Sequence, residues 1–564
     1  MKRNATDQSP HWVDQIVGQI LKWQTSDSIV KLHVDDMKTP SGRVHVGSLL
    51  GVVLHDLIAR ALTSRTSQPV TNTYVFNDFD PMDGLPTYLN HHFYQAHLGK
   101  PLFLIPPPPL KESGLDLSQL SQQDRVPLQS SSSFAEFYAH DFIQTLRHLG
   151  CQPQVIWSHQ LYQTGQMDVI IRETLDKAEI VRQVYQEIAD YHLPEQWWPF
   201  QAICPQCGRL STTTTTAWDG NLVTFECRID KVNWTQGCGY RGQVSPFGGT
   251  GKLPWKVDWP AHWKVLGVTI EGAGKDHSTA GGSRDMAVAL CQRVFNIPAP
   301  FNIPYEWILV KGTKMSSSQG IGTSAREFIQ LFPPQVGRFL LAHKHYNQVL
   351  DFDPSTMAIP DWFDWYDQGA RIHWQQATGD LRLGRSFELS QIGPQLSPHF
   401  LPRFRDVALW MQYPEINLIE KFSQIKKSKL DDIEQQVLRE RQDYARLWLD
   451  RYAPSDFKVN AAGDSSIIIP NLTTDQITFL IKLSQLLASS SEWSPDDLQT
   501  QIYNLAKQGI GPQSAFQAVY ILLLGKTAGP RAAWLLLQDP ELLPQKLQLL
   551  QSLNTKRNEA KLIK

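Results

Sequence analysis

A strand, a glycine-bearing loop and a helix follow one another within residues 29–62, and that order opens a nucleotide-binding α/β unit. Ile29 to Val34 reads as a short buried strand. A turn-rich stretch from Asp35 to Gly47 follows, carrying Pro40, Gly42 and Gly47. Leu50, Val53, Leu54, Leu57, Ile58, Ala61 and Leu62 then recur with helical spacing and share one face. A second strand near Val70 to Phe76 ends in Asn77-Asp78-Phe79-Asp80. Polar side chains at that end of a strand line the crevice where parallel sheets take their ligands.

Strand signals fade after this and resume at Val265 to Ile270 and Ile303 to Val310. Between them lie the stiff Pro106–Pro109 connector, helical patterns at Phe134–Leu149 and Val169–Tyr191, and a window rich in cysteine. The polar, serine-rich run Gln119–Ser133 reads as a mobile loop. From about residue 326 the pattern is mostly helical, with long polar helices such as Asp432–Tyr452. The expected fold is α/β: a Rossmann-type parallel-sheet catalytic domain split by an insertion with a small zinc-binding module, followed by an all-α C-terminal domain. The boundaries expected are 1–110 and 251–345 for the two catalytic halves, 111–250 for the insertion with its module at about 200–245, and 346–564 for the helical domain.

A formal charge of -2 argues against a surface coated with nucleic-acid-binding charge but leaves room for a local basic groove. No apolar run reaches 18 residues, so no membrane span is expected. The start, MKRNATDQSPHW, has basic residues with no apolar run behind them, which points to a cytoplasmic chain without a signal peptide.

Two loops carry the chemistry. The first is Thr39-Pro40-Ser41-Gly42-Arg43-Val44-His45-Val46-Gly47-Ser48. Gly47 permits close backbone approach to a nucleotide, the helix beyond it favours an anion, and His45 can donate to phosphate oxygens. The second is Lys311-Gly312-Thr313-Lys314-Met315-Ser316-Ser317-Ser318-Gln319-Gly320, just after a strand. Its lysines neutralise charge, and its hydroxyls and backbone N–H groups donate to a triphosphate.

Of six cysteines, Cys204, Cys207, Cys227 and Cys238 fall in one window, the first two as a Cys-x-x-Cys knuckle followed by Gly208. Four thiolates suit a closed tetrahedral zinc site that folds a small insertion lacking its own core. Cys151 and Cys291 read as buried small hydrophobes.

HVGS early and KMSSS about 270 residues later, each after a strand, resemble the paired HIGH and KMSKS signatures of class I aminoacyl-tRNA synthetases. Longer stretches resemble the class I lysyl-tRNA synthetases: Thr39-Pro-Ser-Gly-Arg-Val-His-Val-Gly, Leu193-Pro-Glu-Gln-Trp-Trp-Pro, Trp255-Lys-Val-Asp-Trp-Pro, Gly274-Lys-Asp-His, Tyr305-Glu-Trp and Gly529-Pro-Arg. They stand in the family's order over nearly the whole chain. The resemblance implies that L-lysine and ATP, with Mg2+, form lysyl-adenylate and pyrophosphate. The lysyl group then passes to the terminal adenosine of lysine tRNA.

On that resemblance His45 stabilises phosphate charge in the transition state, Lys314 holds the leaving pyrophosphate, and Asp276 binds the ribose. Thr39, Pro40, Ser41, Gly42, Gly47, Ser48, Met315, Ser316, Ser317 and Ser318 complete the expected ATP contacts. Trp255, His277 and Tyr305 are expected to border the lysine pocket. A carboxylate should pair with the ammonium group; Asp35, Asp36, Asp78 and Asp80 are the candidates, and the residues do not choose among them. Trp259 reads as core. The C-terminal domain is implied to bind the anticodon, while oligomeric state stays undefined.

The chain departs from the family pattern at several places. Ser48 stands at the fourth position of the first signature, Ser317 replaces the second lysine of KMSKS, Met37 stands where the family usually has glycine, and Asp80–Pro86 lacks the usual basic residues. A class I synthetase for another amino acid such as glutamate, or a synthetase-like RNA-binding protein without catalysis, are the alternatives.

Overall fold

The computed structural model describes residues 11–26, 31–310, 323–393, 397–413, 416–455, 457–458, 472–490, 493–525, 527, 529, 531–538, 540–548 and 550. The chain divides into two compact units, residues 1–353 with 365–398, and residues 354–364 with 399–564.

The first unit is built on a parallel sheet. After helix α1 (Trp12–Ser26), β1 (Leu32–Lys38) runs into helix α2 (Gly47–Arg65), which returns to β2 (Val70–Phe76). β2 lies parallel to β1, with Val34 opposite Asn72. Helices α3 (Gln122–Gln129) and α4 (Phe134–His148) precede β3 (Gln154–Trp157), parallel to β2. The stretch 119–133 expected as a loop thus contains a helix. Ser121 and Asp124 form a reciprocal capping box, each side chain accepting from the other's backbone N–H at 3.1 Å, and this offsets the polar composition.

β1 also differs from expectation. It extends to Lys38, past the point where the apolar run ends. Its backbone is paired on both edges, because Asp35 N also donates to Ile270 O at 3.0 Å, so the ladder carries the strand through two carboxylates. α2 is buried on nearly all sides, including Val52, His55, Asp56 and Ala59 off the expected apolar face.

Helices α5 (Asp168–Asp176) and α6 (Ala178–Ala189) lead into a small β module: β4 (Gln201–Ala202), β5 (Thr213–Trp218), β6 (Val223–Cys227), β7 (Arg241–Val244) and β8 (Gly251–Lys252). β5, β6 and β7 form an antiparallel sheet, and β4 pairs antiparallel with β8. Helix α7 (Trp255–Leu266) then returns the chain to the parallel sheet. Ile270 bridges Val34 on the free edge of β1, and Phe301 bridges Ile270. β9 (Ala273–Gly274) and β10 (Pro304–Tyr305) continue these two lines in parallel, with helix α8 (Ser283–Leu290) between them. The spatial order is therefore β3, β2, β1, β9, β10. β11 (Ile308–Val310) and β12 (Leu350–Phe352) add a further parallel pair.

In the second unit the described residues form helices and no strand. Phe363 stacks on Phe404 at 4.0 Å and Trp448 packs beside it, under helices Phe404–Trp410 and Asp432–Arg451. A second core, including Leu480, Leu483, Ile502 and Val519, is enclosed by helices Thr474–Ala488, Pro495–Gln508, Pro512–Leu524 and Ala532–Gln538. No described helix is long and apolar enough to cross a membrane.

Candidate active site

β1 has β2 on one side and the Ile270 line on the other, so the chain leaves it in opposite directions and a crevice opens at the C-terminal ends of the strands. There lies a cavity of about 520 Å³. Thr39, Ser41, His45, Gly47 and Ser48, which follow β1, line it together with Trp255, Asp276, His277 and Tyr305, which follow the inserted module. Residues more than 200 positions apart thus share one space. Pro40 and Gly42 belong to the same loop without lining the cavity; Gly42 holds φ 146°, a turn conformation that suits glycine.

The HVGS segment is pinned by the chain that follows the second signature. Val46 N donates to Thr323 O at 3.1 Å, Ala325 N donates to Val44 O at 2.8 Å, and His45 and Ser324 form an antiparallel bridge. Lys314, Met315, Ser316, Ser317 and Ser318 lie outside the described residues. The residues before that stretch, ending in β11, include Ile308 on the cavity wall. Gly47 fits closely against the catalytic candidate beside it: a Cβ there would stand 2.8 Å from His45 Nδ1.

The cavity floor is acidic and aromatic. Asp35 and Asp36, being adjacent in a strand, point to opposite faces. Asp36 lines the cavity and accepts from Met37 N at 2.8 Å. Asp35 is turned away, fully buried, and accepts from Thr73 Oγ1, with burial and the nearby Glu271 raising its pKa. Asp78 likewise turns from the cavity, toward His159. Sequence reasoning missed Glu271. Its carboxylate lines the floor, accepting from Trp259 Nε1 at 2.8 Å and from Trp263 Nε1. Burial pushes its pKa up to about 7, against the pull of the two indoles and Arg284 and with a further push from Asp36. Among the described residues neither Asp36 nor Glu271 is in an ion pair with lysine or arginine; Asp36 has only the His55 imidazole, at 3.6 Å.

Aromatic rings close round these carboxylates. His277 meets Trp255 and Trp259 edge-on, both at 5.8 Å, and Trp259 serves both the core and the cavity wall. Tyr305 reaches over α2, where a Cβ on Gly51 would stand 2.7 Å from its hydroxyl and 3.0 Å from Asp36 Oδ2. Met37 stands in the wall, its sulfur accepting from Asn77 Nδ2 at 3.4 Å. Lys38, two residues beyond Asp36 on the same strand face, brings a cation about 7 Å nearer the loop. Burial lowers its pKa and Asp36 opposes that.

Asp80, the remaining carboxylate candidate, also lines the cavity but is already neutralised. Lys252 Nζ lies 2.5 Å from Asp80 Oδ1 and 2.8 Å from Asp258 Oδ2, and Thr39 Oγ1 donates to Asp80 Oδ2 at 2.6 Å. Burial would raise the Asp258 carboxyl, yet His262 and Lys252 outweigh it and hold it below the usual carboxylate range. Lys252 leaves the β4–β8 ribbon of the inserted module, so this network ties that module to the cavity wall. We expect Lys252→Met to destabilise the first unit by about 3–5 kcal/mol, because the buried Asp258 and the half-buried Asp80 lose their cation; urea melts of the two chains measure it, and an unchanged midpoint would show the network to be dispensable.

The four clustered cysteines converge. Their sulfurs all lie within 4.8 Å of one another, with Cys204 and Cys238 at 3.5 Å and Cys207 and Cys227 at 3.7 Å. Tetrahedral zinc at ~2.3 Å from each sulfur needs edges of about 3.8 Å. Gly208 N donates to Cys204 O at 2.8 Å and Gly239 N to Cys227 O at 2.9 Å, closing a turn at each side of the cluster.

The family model of class I tRNA synthetases (K) matches residues 10–114 and 123–393. The lysine–tRNA ligase of Archaeoglobus fulgidus is 30% identical over 530 residues, covering 93% of this chain and 96% of the relative. That of Methanosarcina barkeri strain Fusaro is 28% identical, covering 95% and 97%. That of Methanocaldococcus jannaschii is 29% identical, covering 92% and 96%.

Proposed function

The chain belongs to the family of class I tRNA synthetases (K), and from that premise we propose that it is a cytoplasmic lysine–tRNA ligase. It joins L-lysine to ATP, releases pyrophosphate, and passes the lysyl group to the terminal adenosine of lysine tRNA. The observation that carries the choice of lysine is the pair of carboxylates on the cavity floor, Asp36 and Glu271, standing among aromatic rings and, among the described residues, in no ion pair with lysine or arginine.

A side-chain ammonium entering this floor meets two acceptors and the faces of Trp259 and Tyr305. Its own carboxylate then lies toward Lys38 and the loop, where the α-phosphorus must come. Attack of one anion on another needs positioning and fixed positive donors more than a nucleophilic side chain. His45 donates to the phosphate as charge builds, Lys314 holds the pyrophosphate, and Asp276 takes the ribose. Mg2+ accompanies the ATP. A glutamate side chain would meet like charge on the same floor, which disfavours the glutamate reading.

ATP–pyrophosphate exchange driven by each amino acid, followed by charging of lysine tRNA, tests this directly. We expect exchange and charging with lysine. Exchange with glutamate and none with lysine would refute the assignment, and tRNA binding with no exchange at all would favour a chain that has lost catalysis.

Zinc held by Cys204, Cys207, Cys227 and Cys238 is proposed as a structural metal, with all four positions taken by sulfur. The purified chain should carry one zinc per molecule, and Cys227→Ser should lose it together with the ordered module. Metal analysis and proteolysis across residues 200–245 are the measurements; a metal-free chain with an intact module would dismiss the proposal. The helical second unit is proposed to bind the anticodon.

A further inference from the structure

The cavity carries its charge unevenly. Asp36, Asp80, Asp258, Glu271, Asp276 and Glu306 line it, while Lys38 is the one lysine or arginine among the described residues that does. Asp80 and Asp258 are held by Lys252, and Glu306 by Lys275 at 2.8 Å. Lys38 itself is in no ion pair and no side-chain hydrogen bond with a described residue. We infer that Asp36 and Lys38 together gauge the length of the amino acid: Asp36 takes the terminal ammonium, Lys38 takes the α-carboxylate, and the span between them fits lysine and not ornithine, which is one methylene shorter. This rests on the lysine reading above.

The strand sets the span. Asp36 and Lys38 are two residues apart on β1, so their side chains leave the same face. Two residues of strand advance about 6.6–6.8 Å. In lysine, six bonds separate the terminal nitrogen from the carboxyl carbon, an extended reach of about 7–8 Å at ~1.5 Å per bond. A lysine lying along β1 with its ammonium on Asp36 therefore brings its carboxylate to Lys38. Both backbone positions are fixed, because β1 is paired with β2 along its whole length and Lys38 O accepts from Asn77 N at 2.9 Å. The facing helix leaves room for the substrate. Gly51 of α2 stands against Asp36, where a Cβ would lie 3.0 Å from Oδ2, and Gly47, four residues and about 6 Å nearer the loop, lines the cavity. Tyr305 enters the same space, its hydroxyl 2.7 Å from where the Gly51 Cβ would stand.

An anion is what Lys38 lacks. Burial works against its charge and Asp36 works for it. A buried cation without a direct partner is costly to keep, and a carboxylate arriving with the substrate supplies one. On the same reading the triphosphate has donors of its own in the loop, His45 and the N-terminus of α2. The amino acid's carboxylate meets no second lysine or arginine on the described wall. Ornithine falls short by one methylene, about 1.3 Å. With its ammonium on Asp36, its carboxylate contact to Lys38 is stretched past about 3.6 Å and lost as a hydrogen bond.

The test compares the full-length chain with its Lys38→Met variant by calorimetric titration with lysine, with ornithine and with lysinol, which keeps both amines and carries a hydroxymethyl group in place of the carboxylate. The wild-type chain should bind lysine at least tenfold tighter than either analogue. In Lys38→Met the Kd for lysine should rise tenfold or more, that for lysinol should stay within threefold, and the preference for lysine over ornithine should shrink to threefold or less. Lysine bound as tightly by the variant overturns the inference and gives the cation to ATP. Equal losses for lysine and lysinol overturn it too, because Lys38 then supports the floor and grips no carboxylate. Should Lys38→Met fail to fold, Lys38→Gln carries the same comparison with the same outcomes. A wild-type chain that binds lysine with no preference over ornithine defeats the gauge and leaves the lysine reading standing. One that neither binds nor activates lysine overturns that reading instead.

Discussion

His45→Ala is expected to slow lysine-driven ATP–pyrophosphate exchange about 10²–10³-fold, the cost of removing one fixed donor from a charge-stabilising site. The expectation follows from how rigidly this histidine is presented. Its backbone is bridged to Ser324, its neighbours Val44 and Val46 are hydrogen-bonded to Ala325 and Thr323, and the glycine two residues on leaves no space for a side chain against its ring. A donor held this way gives up little reorganisation when charge develops. The loss should fall on kcat, with the KM for lysine nearly unchanged, since the imidazole stands with the loop and not on the acidic floor. Lys314→Ala should lower the same step, and the double variant should fall short of the product of the two, because on the proposed reading both groups grip one polyphosphate. Exchange by His45→Ala within a few-fold of the parent chain would mean that the loop positions ATP without stabilising the transition state.

Much of this site is legible in the residues because its signals are local. Strand, loop and helix periods place the first signature, and the cysteine spacing reports its own cluster. The floor of the cavity was harder to read for two physical reasons. Asp35 and Asp36 look like the start of a turn, since charged residues seldom continue a buried strand. Only pairing on both edges of β1 keeps them in the ladder, and the alternation of a strand then separates their roles. Glu271 sits in Val268-Thr269-Ile270-Glu271-Gly272, one carboxylate at the end of an apolar run. A buried charge with no local partner was the available signal, because such a group must be satisfied from elsewhere or bind something. Its satisfaction comes from indoles on α7, eight and twelve residues earlier, which no strand pattern discloses. Lys252 was invisible for a similar reason: its two carboxylate partners lie on β2's end and on α7, and only the fold brings them together.

Glu271 should make lysine binding depend on pH. Burial holds its pKa at about 7 in the free chain, well above the ordinary glutamate value near 4.3. An ammonium group needs the ionised form, so the proton must leave before or as lysine binds. Above pH 7 the carboxylate is already charged and affinity should be level. As pH falls through 7 the free chain takes up the proton, and the KM for lysine in the exchange reaction should rise, approaching tenfold per pH unit by pH 5.5 to 6. Glu271→Gln removes the titrating group. Its KM should be raised by about 2–5 kcal/mol of lost pairing, roughly 30- to 5000-fold, and should no longer follow this slope. The amide also sets an N–H group against one of the two indole donors, so part of the loss in affinity comes from the misplaced floor itself. The slope is therefore the sharper readout, because a displaced floor raises KM equally at every pH and only loss of the titrating carboxylate flattens the profile. A parent chain whose KM for lysine is level from pH 6 to 8, or a Glu271→Gln chain that keeps the parent slope, would move the ammonium partner to Asp36 alone.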